Sequence, residues 1–258
     1  MRPGERIAAA IRAAAAQGEP ALVAFLTGGY PRREQFREHL AAIAAGADVV
    51  EIGVPFTDPM ADGMTIQRSS HAALSQGVSL QWIFDELGAM QRPDKPLLLM
   101  SYLNPLLSYG FERLAAASVT SGVCGFIVPD LPLDESGALR AALDAQGLAL
   151  VQMVTPVTPP ARLAKLCAAS QGFVYAVTMT GTTGKSVDVP ADMLEYLRRV
   201  RAAATVPVCA GFGIRSREQV ERLRGSVDGV VIGSALVEVL ERGESAQAWL
   251  AALRPPVR

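Results

Sequence analysis

Eight short apolar runs, each followed by a polar or helical stretch, set the strongest limit on what this chain folds into. They are "ALVAFLTGG" from Ala21, "DVVEIGVP" from Asp48, "PLLLMSYLN" from Pro96, "GFIVPD" from Gly125, "LALVQMVTP" from Leu148, "GFVYAVTMTG" from Gly172, "PVCAGFG" from Pro207 and "DGVVIGSAL" from Asp228. Between them lie amphipathic segments such as "REQFREHLAAIAAG", "DESGALRAALDAQG" and "ADMLEYLRRVRAAA", several ending in Gly, a common helix stop. Strands that are apolar along their whole length belong to a parallel sheet covered by helices. Eight such units within the 258 residues predict a single-domain (β/α)8 TIM barrel over residues 1–258. An open doubly wound sheet is the alternative, but "LTGGYPRRE" after the first run is not the dinucleotide fingerprint G-x-G-x-x-G. The segment "GERIAAAIRAAAAQ" predicts an extra helix before the first strand, plugging the N-terminal mouth.

Charge and composition narrow the partners. Net charge is −1, with no basic stripe for nucleic acid or an anionic membrane. No apolar run reaches membrane-spanning length, and the first residues read as an Ala-rich helix rather than a signal peptide, so the expectation is a cytoplasmic protein. Cys124, Cys167 and Cys209 show no disulfide or zinc spacing, and two histidines, His39 and His71, argue against a His-rich metal site.

In such barrels chemistry sits at the C-terminal ends of the strands. Three glycine loops fall there: "TGTTGKS" (Thr180 to Ser186) after strand six, "GFGIRS" after strand seven and "IGSAL" after strand eight. "GSAL" also reads as the first turn of a short helix, whose free N–H groups and positive dipole end suit a phosphate. Together the three loops point to a phosphate ester.

Three carboxylates lie in or just past "DVVEIGVPFTDPMADGMTIQ". Strand alternation puts Val50, Ile52 and Val54 on one face and Val49, Glu51 and Gly53 on the other. The all-apolar face packs on helices, so Glu51 points into the barrel, where lost solvent raises its pKa. It is then either a proton donor and acceptor or a buried glutamate paired for structure. Asp58, before a proline, reads as a turn residue. Asp62 lies further into the loop and suits a hydrogen-bond acceptor for a ring N–H. The only lysines are Lys95, Lys165 and Lys185, none of them set on a strand as a Schiff-base aldolase requires.

At these residues the chain resembles the tryptophan synthase alpha-chain family. "EIGVPFTDPMADGMTIQ" is similar to that family's signature, and the likeness extends through "AFLTGGYP", "LLLMSYLNPLLSYG", "GFIVPDLPLDES", "TGTTG", "GFGIRSREQV" and "IGSALV". The resemblance implies a cofactor-independent lyase that cleaves indole-3-glycerol phosphate to indole and glyceraldehyde 3-phosphate. It puts the catalytic glutamate on Glu51 and the catalytic aspartate on Asp62. It puts the indole pocket on Phe25, Ile66, Met100, Tyr102 and Tyr175, and phosphate contacts on Gly184, Gly213, Gly233 and Ser234. Thr183 matches a residue of the loop that closes over the site. No metal is implied.

The family works with a beta chain carrying pyridoxal phosphate, in an alpha2-beta2 tetramer, and indole passes to that chain for L-tryptophan synthesis. The resemblance therefore implies a partner on the mouth formed by "PFTDPMADG", "PDLPLDES" and "TGTTGKS". The chain departs from the family at Met64, where proline is frequent, and at Met179 and Thr182 around the strand-six loop. These departures bear on loop closure more than on the reaction. A free-standing lyase, a catalytically silent activating subunit and a phosphosugar isomerase remain as rival readings.

Overall fold

The apolar runs pair side by side, in parallel and in chain order, and the last closes onto the first: β1-β2-β3-β4-β5-β6-β7-β8 in one barrel. The computed structural model describes residues 1–178, 190–211 and 213–254. In chain order the elements are α1 (Pro3–Ala16), β1 (Ala21–Thr27), α2 (Phe36–Gly46), β2 (Val49–Gly53), α3 (Met64–Ser75), α4 (Leu80–Ala89), β3 (Leu97–Met100), α5 (Leu103–Tyr109) and α6 (Phe111–Ser121). They continue with β4 (Val123–Ile127), α7 (Gly137–Ala145), β5 (Ala149–Val154), α8 (Pro160–Ala169), β6 (Val174–Val177), α9 (Ala191–Ala203), β7 (Val208–Gly211), α10 (Arg217–Leu223), β8 (Gly229–Ile232), α11 (Ser234–Glu241) and α12 (Ala246–Leu253). All eight predicted strands are present. Strand β4 begins two residues before the predicted run. Gly122, at φ +82°, stops α6 in the left-handed conformation, and the chain enters the sheet at the next residue.

Strand alternation sorts the core into two layers. Leu22, Ala24, Leu26, Val50 and Ile52 face outward, in one cluster with helix residues such as Phe36, Leu40 and Ile43. Val23, Val49, Leu98, Val151 and Cys209 fill the barrel. Helix α1 closes the bottom, as predicted. Its Ile7 and Ile11, four residues apart on one face, are fully buried among the inner residues. Each isoleucine removed from water stabilises the closed barrel by about 1.5–3 kcal/mol. Pro3 starts α1 at a position where a missing N–H costs nothing, and the Arg2 N–H donates to Glu5 Oε2 at 3.0 Å.

The N-terminal ends of two strands are tied by carboxylates. Asp48 Oδ2 accepts the Leu22 N–H at 2.8 Å and the Arg254 guanidinium at 2.8 Å. Asp228 accepts the Val208 N–H at 2.8 Å and Arg201 at 3.0 Å. Lys165 lies on α8 and Lys95 in the connection before β3, neither on a strand. Among the described residues, no helix is long and apolar enough to cross a membrane.

Candidate active site

Glu51 is the third residue of β2, in register with Phe25 on one side and Leu98 on the other. Its neighbours Val50 and Ile52 belong to the outer layer and Val49 to the inner one, so Glu51 projects into the barrel. It is 1% exposed, and its Oε2 has no hydrogen-bond partner among the described residues. A buried carboxylate without partners is costly, so the neutral acid is favoured. Burial pushes the Glu51 pKa up to about 8, and the nearby Asp62 charge adds to the rise. The group is therefore largely protonated at neutral pH, yet close enough to its pKa to give and take a proton.

Asp62 sits in the loop between β2 and α3, half-buried over the mouth. Its N–H donates to Pro59 O at 3.1 Å, and Gln67 Nε2 donates to its carbonyl at 2.8 Å. Its Oδ2 accepts the Tyr102 hydroxyl at 3.1 Å, and that hydroxyl in turn accepts the Ala61 N–H at 2.8 Å. Burial raises the Asp62 pKa, and the Tyr102 hydrogen bond works against the rise. One phenol thus orients the whole tip of the loop. Tyr102 is held by Phe56, with ring centroids 5.2 Å apart and planes at 27°.

Four of the five residues expected around an apolar pocket meet at one cavity, and Tyr175 is not in its lining. Phe25, Ile66, Met100 and Tyr102 line one cavity together with Asp62 and Phe56. Gly53 lies beneath the Phe25 ring, and a Cβ there would stand 2.4 Å from Phe25 Cζ. The glycine in "EIGVPF" is therefore what lets the ring lie flat across β2. Tyr175 stands on the facing side of the barrel, its hydroxyl 2.8 Å from where a Cβ on Gly211 would be. Its pKa is raised well above the ordinary value, by burial first and then by the Glu51 charge.

The described residues expected to meet the phosphate lie past two strand ends. Gly213 has φ +65°, a conformation that favours glycine, just past β7. Gly233 caps α11 and Ser234 opens it. The Gly233 carbonyl accepts the Leu236 and Val237 N–H groups at 2.9 and 3.1 Å, while the first N–H groups of the helix have no intrahelical acceptor. A Cβ on Gly233 would lie 4.0 Å from Phe25 Cβ, so the helix terminus adjoins the apolar pocket. Thr183 and Gly184, like Met179, Thr182 and Lys185, lie outside the described residues.

Asp58 is exposed and accepts the Thr57 hydroxyl at 2.6 Å, a loop-shaping role as expected. Lining residues that escaped the sequence reading include Phe56, Thr27 and Ser70. Thr27 shares the inward parity of Val23 and Phe25, so alternation alone signals it. Its hydroxyl lies 2.6 Å from that of Ser69 on α3. Ser70 accepts the Phe56 N–H at 2.8 Å, a tertiary contact with no sequence signal.

A family model described as tryptophan synthase alpha chain matches residues 11–254. The chain is 45% identical over 249 residues to a tryptophan synthase alpha chain of Nitratidesulfovibrio vulgaris, spanning 96% of this chain and 97% of that one. It is 42% identical over 233 residues to one from Bacillus cereus, spanning 90% of each. Among solved structures it superposes on a chain of Mycobacterium tuberculosis tryptophan synthase with TM-score 0.89, at 35% identity over 96% of both chains. It superposes on a tryptophan synthase alpha subunit of Legionella pneumophila with TM-score 0.87, at 26% identity over 98% and 97%. The buried glutamate, its loop aspartate and the glycine-lined helix terminus thus stand in a chain that belongs to the tryptophan synthase alpha-chain family.

Proposed function

We propose that the chain is the alpha subunit of tryptophan synthase and cleaves indole-3-glycerol phosphate to indole and glyceraldehyde 3-phosphate. The observation that carries the mechanism is Glu51: fully buried, beside the pocket residue Phe25 on the adjacent strand, with its pKa pushed up to about 8 by burial. The indole ring occupies the space between Phe25, Ile66, Met100, Tyr102 and Tyr175. The phosphoryl group lies at Gly213, Gly233 and Ser234, held by backbone N–H groups and the positive end of α11.

Glu51 as the neutral acid protonates C3 of the indole ring, giving an indoleninium cation and a carboxylate. Asp62 accepts the ring N–H and stabilises the positive charge as it forms. The Glu51 carboxylate then takes the proton of the side-chain hydroxyl next to the ring. The carbon–carbon bond breaks, and its electron pair returns to the ring as indole. The hydroxyl carbon leaves as the aldehyde, and Glu51 is again the acid. The ring itself is the electron sink, so the chain's own part needs no cofactor. Pyridoxal phosphate belongs to the beta partner.

Exposed apolar side chains at the mouth support a partner there. Met60, in the Asp62 loop, is 86% exposed and Met64, the first residue of α3, 77%; Leu107 on α5 and Val157 after β5 are also exposed. That surface favours a subunit over a free-standing lyase, and the tuned Glu51 disfavours a silent one. An indole-release assay with and without a beta chain tests the reading. Slow turnover alone and faster turnover with the beta chain are expected. Fast turnover alone, unchanged by the beta chain, would indicate a free-standing lyase.

A further inference from the structure

Helix α11 carries Glu238 and Glu241 three residues apart, on one face. Glu238 accepts both ends of the Arg215 guanidinium, at 2.6 and 2.9 Å. Arg215 lies two residues past Gly213, in the segment after β7. Arg215 is the main cause lowering the Glu238 pKa, and the Thr65 hydroxyl at the start of α3 adds to it. Glu241 accepts Arg68 of α3 through both oxygens, at 2.7 and 3.0 Å, and the Tyr30 hydroxyl at 2.6 Å. Beneath these pairs Val237 of α11 clusters with Phe25 and Tyr30, and Ile66 of α3 packs against them. One short helix therefore fastens the segment after β7, the end of β1 and α3.

Helix α3 starts two residues after Asp62, and its Gln67 side chain holds the Asp62 carbonyl. A displacement of α3 relative to α11 is a displacement of Asp62 and Ile66. The ion pairs are partly exposed, with the Arg68 side chain at 56% and Arg215 at 49%, so they add little to stability. Their forked geometry instead fixes orientation. We propose that Glu238 and Glu241 are positioning residues that make phosphate binding at the α11 N-terminus set Asp62 and Ile66 for the chemical step. Binding energy from a part of the substrate that does not react is then used at the reacting ring. The inference rests on the proposed function and adds a route between its two subsites.

A substrate supplied in pieces tests it, with the beta chain present. The probes are indole-3-glycerol lacking the phosphate, and phosphite dianion added separately. Phosphite should accelerate cleavage of the truncated substrate by wild-type protein about tenfold or more. In Glu241→Gln and Glu238→Gln the phosphite-free rate should stay within about twofold of wild type, while the phosphite activation falls below about threefold. With the complete substrate, kcat should fall about tenfold and KM change by less than about threefold. Equal losses with and without phosphite, or full activation in both variants, would overturn the proposal. So would a wild type that cleaves the complete substrate but gains nothing from phosphite. A folded wild type that cleaves neither substrate would instead overturn the functional reading.

Discussion

At the N-terminal end of the barrel Asp48 and Asp228 each accept a strand N–H and an arginine, and every contact is a structural tie. At the C-terminal end, among the described residues, Glu51 has an oxygen with no partner and Asp62 meets a phenol through its side chain. The residue type is the same and the treatment is opposite. Paired carboxylates hold two strands and a helix end together. Carboxylates that burial strips of solvent and of charged partners have raised pKa values, which suits proton exchange at Glu51. The end that is satisfied carries stability, and the end that is not carries reactivity.

Substitutions at the two ends should separate those roles. Glu51→Gln is expected to lower indole release by about 10³-fold or more, since acid–base catalysis is typically worth 10²–10⁴. The same variant should be at least as stable as wild type at neutral pH. The folded-state pKa of Glu51 is raised from 4.5 to about 8, so folding takes up a proton between those values. Wild-type stability therefore falls as pH rises from 4.5 to 8, and Glu51→Gln should flatten that fall. Thermal melts from pH 4.5 to 8.5 check the sign. A variant that melts lower at pH 8, or that keeps near-wild-type turnover, would break the contrast at its strongest point.

Asp62→Asn is expected to cost about 10²-fold in kcat with substrate binding partly kept, read from steady-state kinetics. At the opposite end, Asp48→Ala leaves the Leu22 N–H without its side-chain acceptor and Arg254 with the Gly46 carbonyl as its remaining acceptor among the described residues. It should lower stability by about 1–3 kcal/mol in urea denaturation while kcat per folded molecule stays unchanged. A loss of kcat without a loss of stability there would erase the distinction between the two ends. Tyr102→Phe should have the smallest effect, about tenfold in kcat, because it loosens the loop without removing the aspartate. It should also raise the Asp62 pKa further, by removing the bond that lowers it.

Most of the fold was legible because strands and their parity are written locally. Alternation through Val49, Val50, Glu51 and Ile52 turned the glutamate inward without any knowledge of its neighbours. The glycines of "GFG" and "GSAL" marked the strand ends that meet at α11. What escaped depends on contacts between distant segments. That Tyr102 holds both Asp62 and the Ala61 N–H joins residues some forty positions apart. The start of β4 moved because only the left-handed turn at Gly122 decides where α6 ends. The role of Glu51 was also undecided by position, since a buried glutamate paired with an arginine has the same parity. Its burial, and an oxygen without a partner among the described residues, weigh for the proton-exchanging reading, and neither is a property of the sequence alone.

The barrel interior should keep Glu51 protonated at neutral pH. Carbon-13 NMR of protein labelled at the glutamate carboxyl, compared between wild type and Glu51→Gln, tests it directly. The expected result is one wild-type carboxyl titrating near pH 8 that disappears in the variant. A Glu51 signal titrating near the ordinary 4.5 would contradict the account.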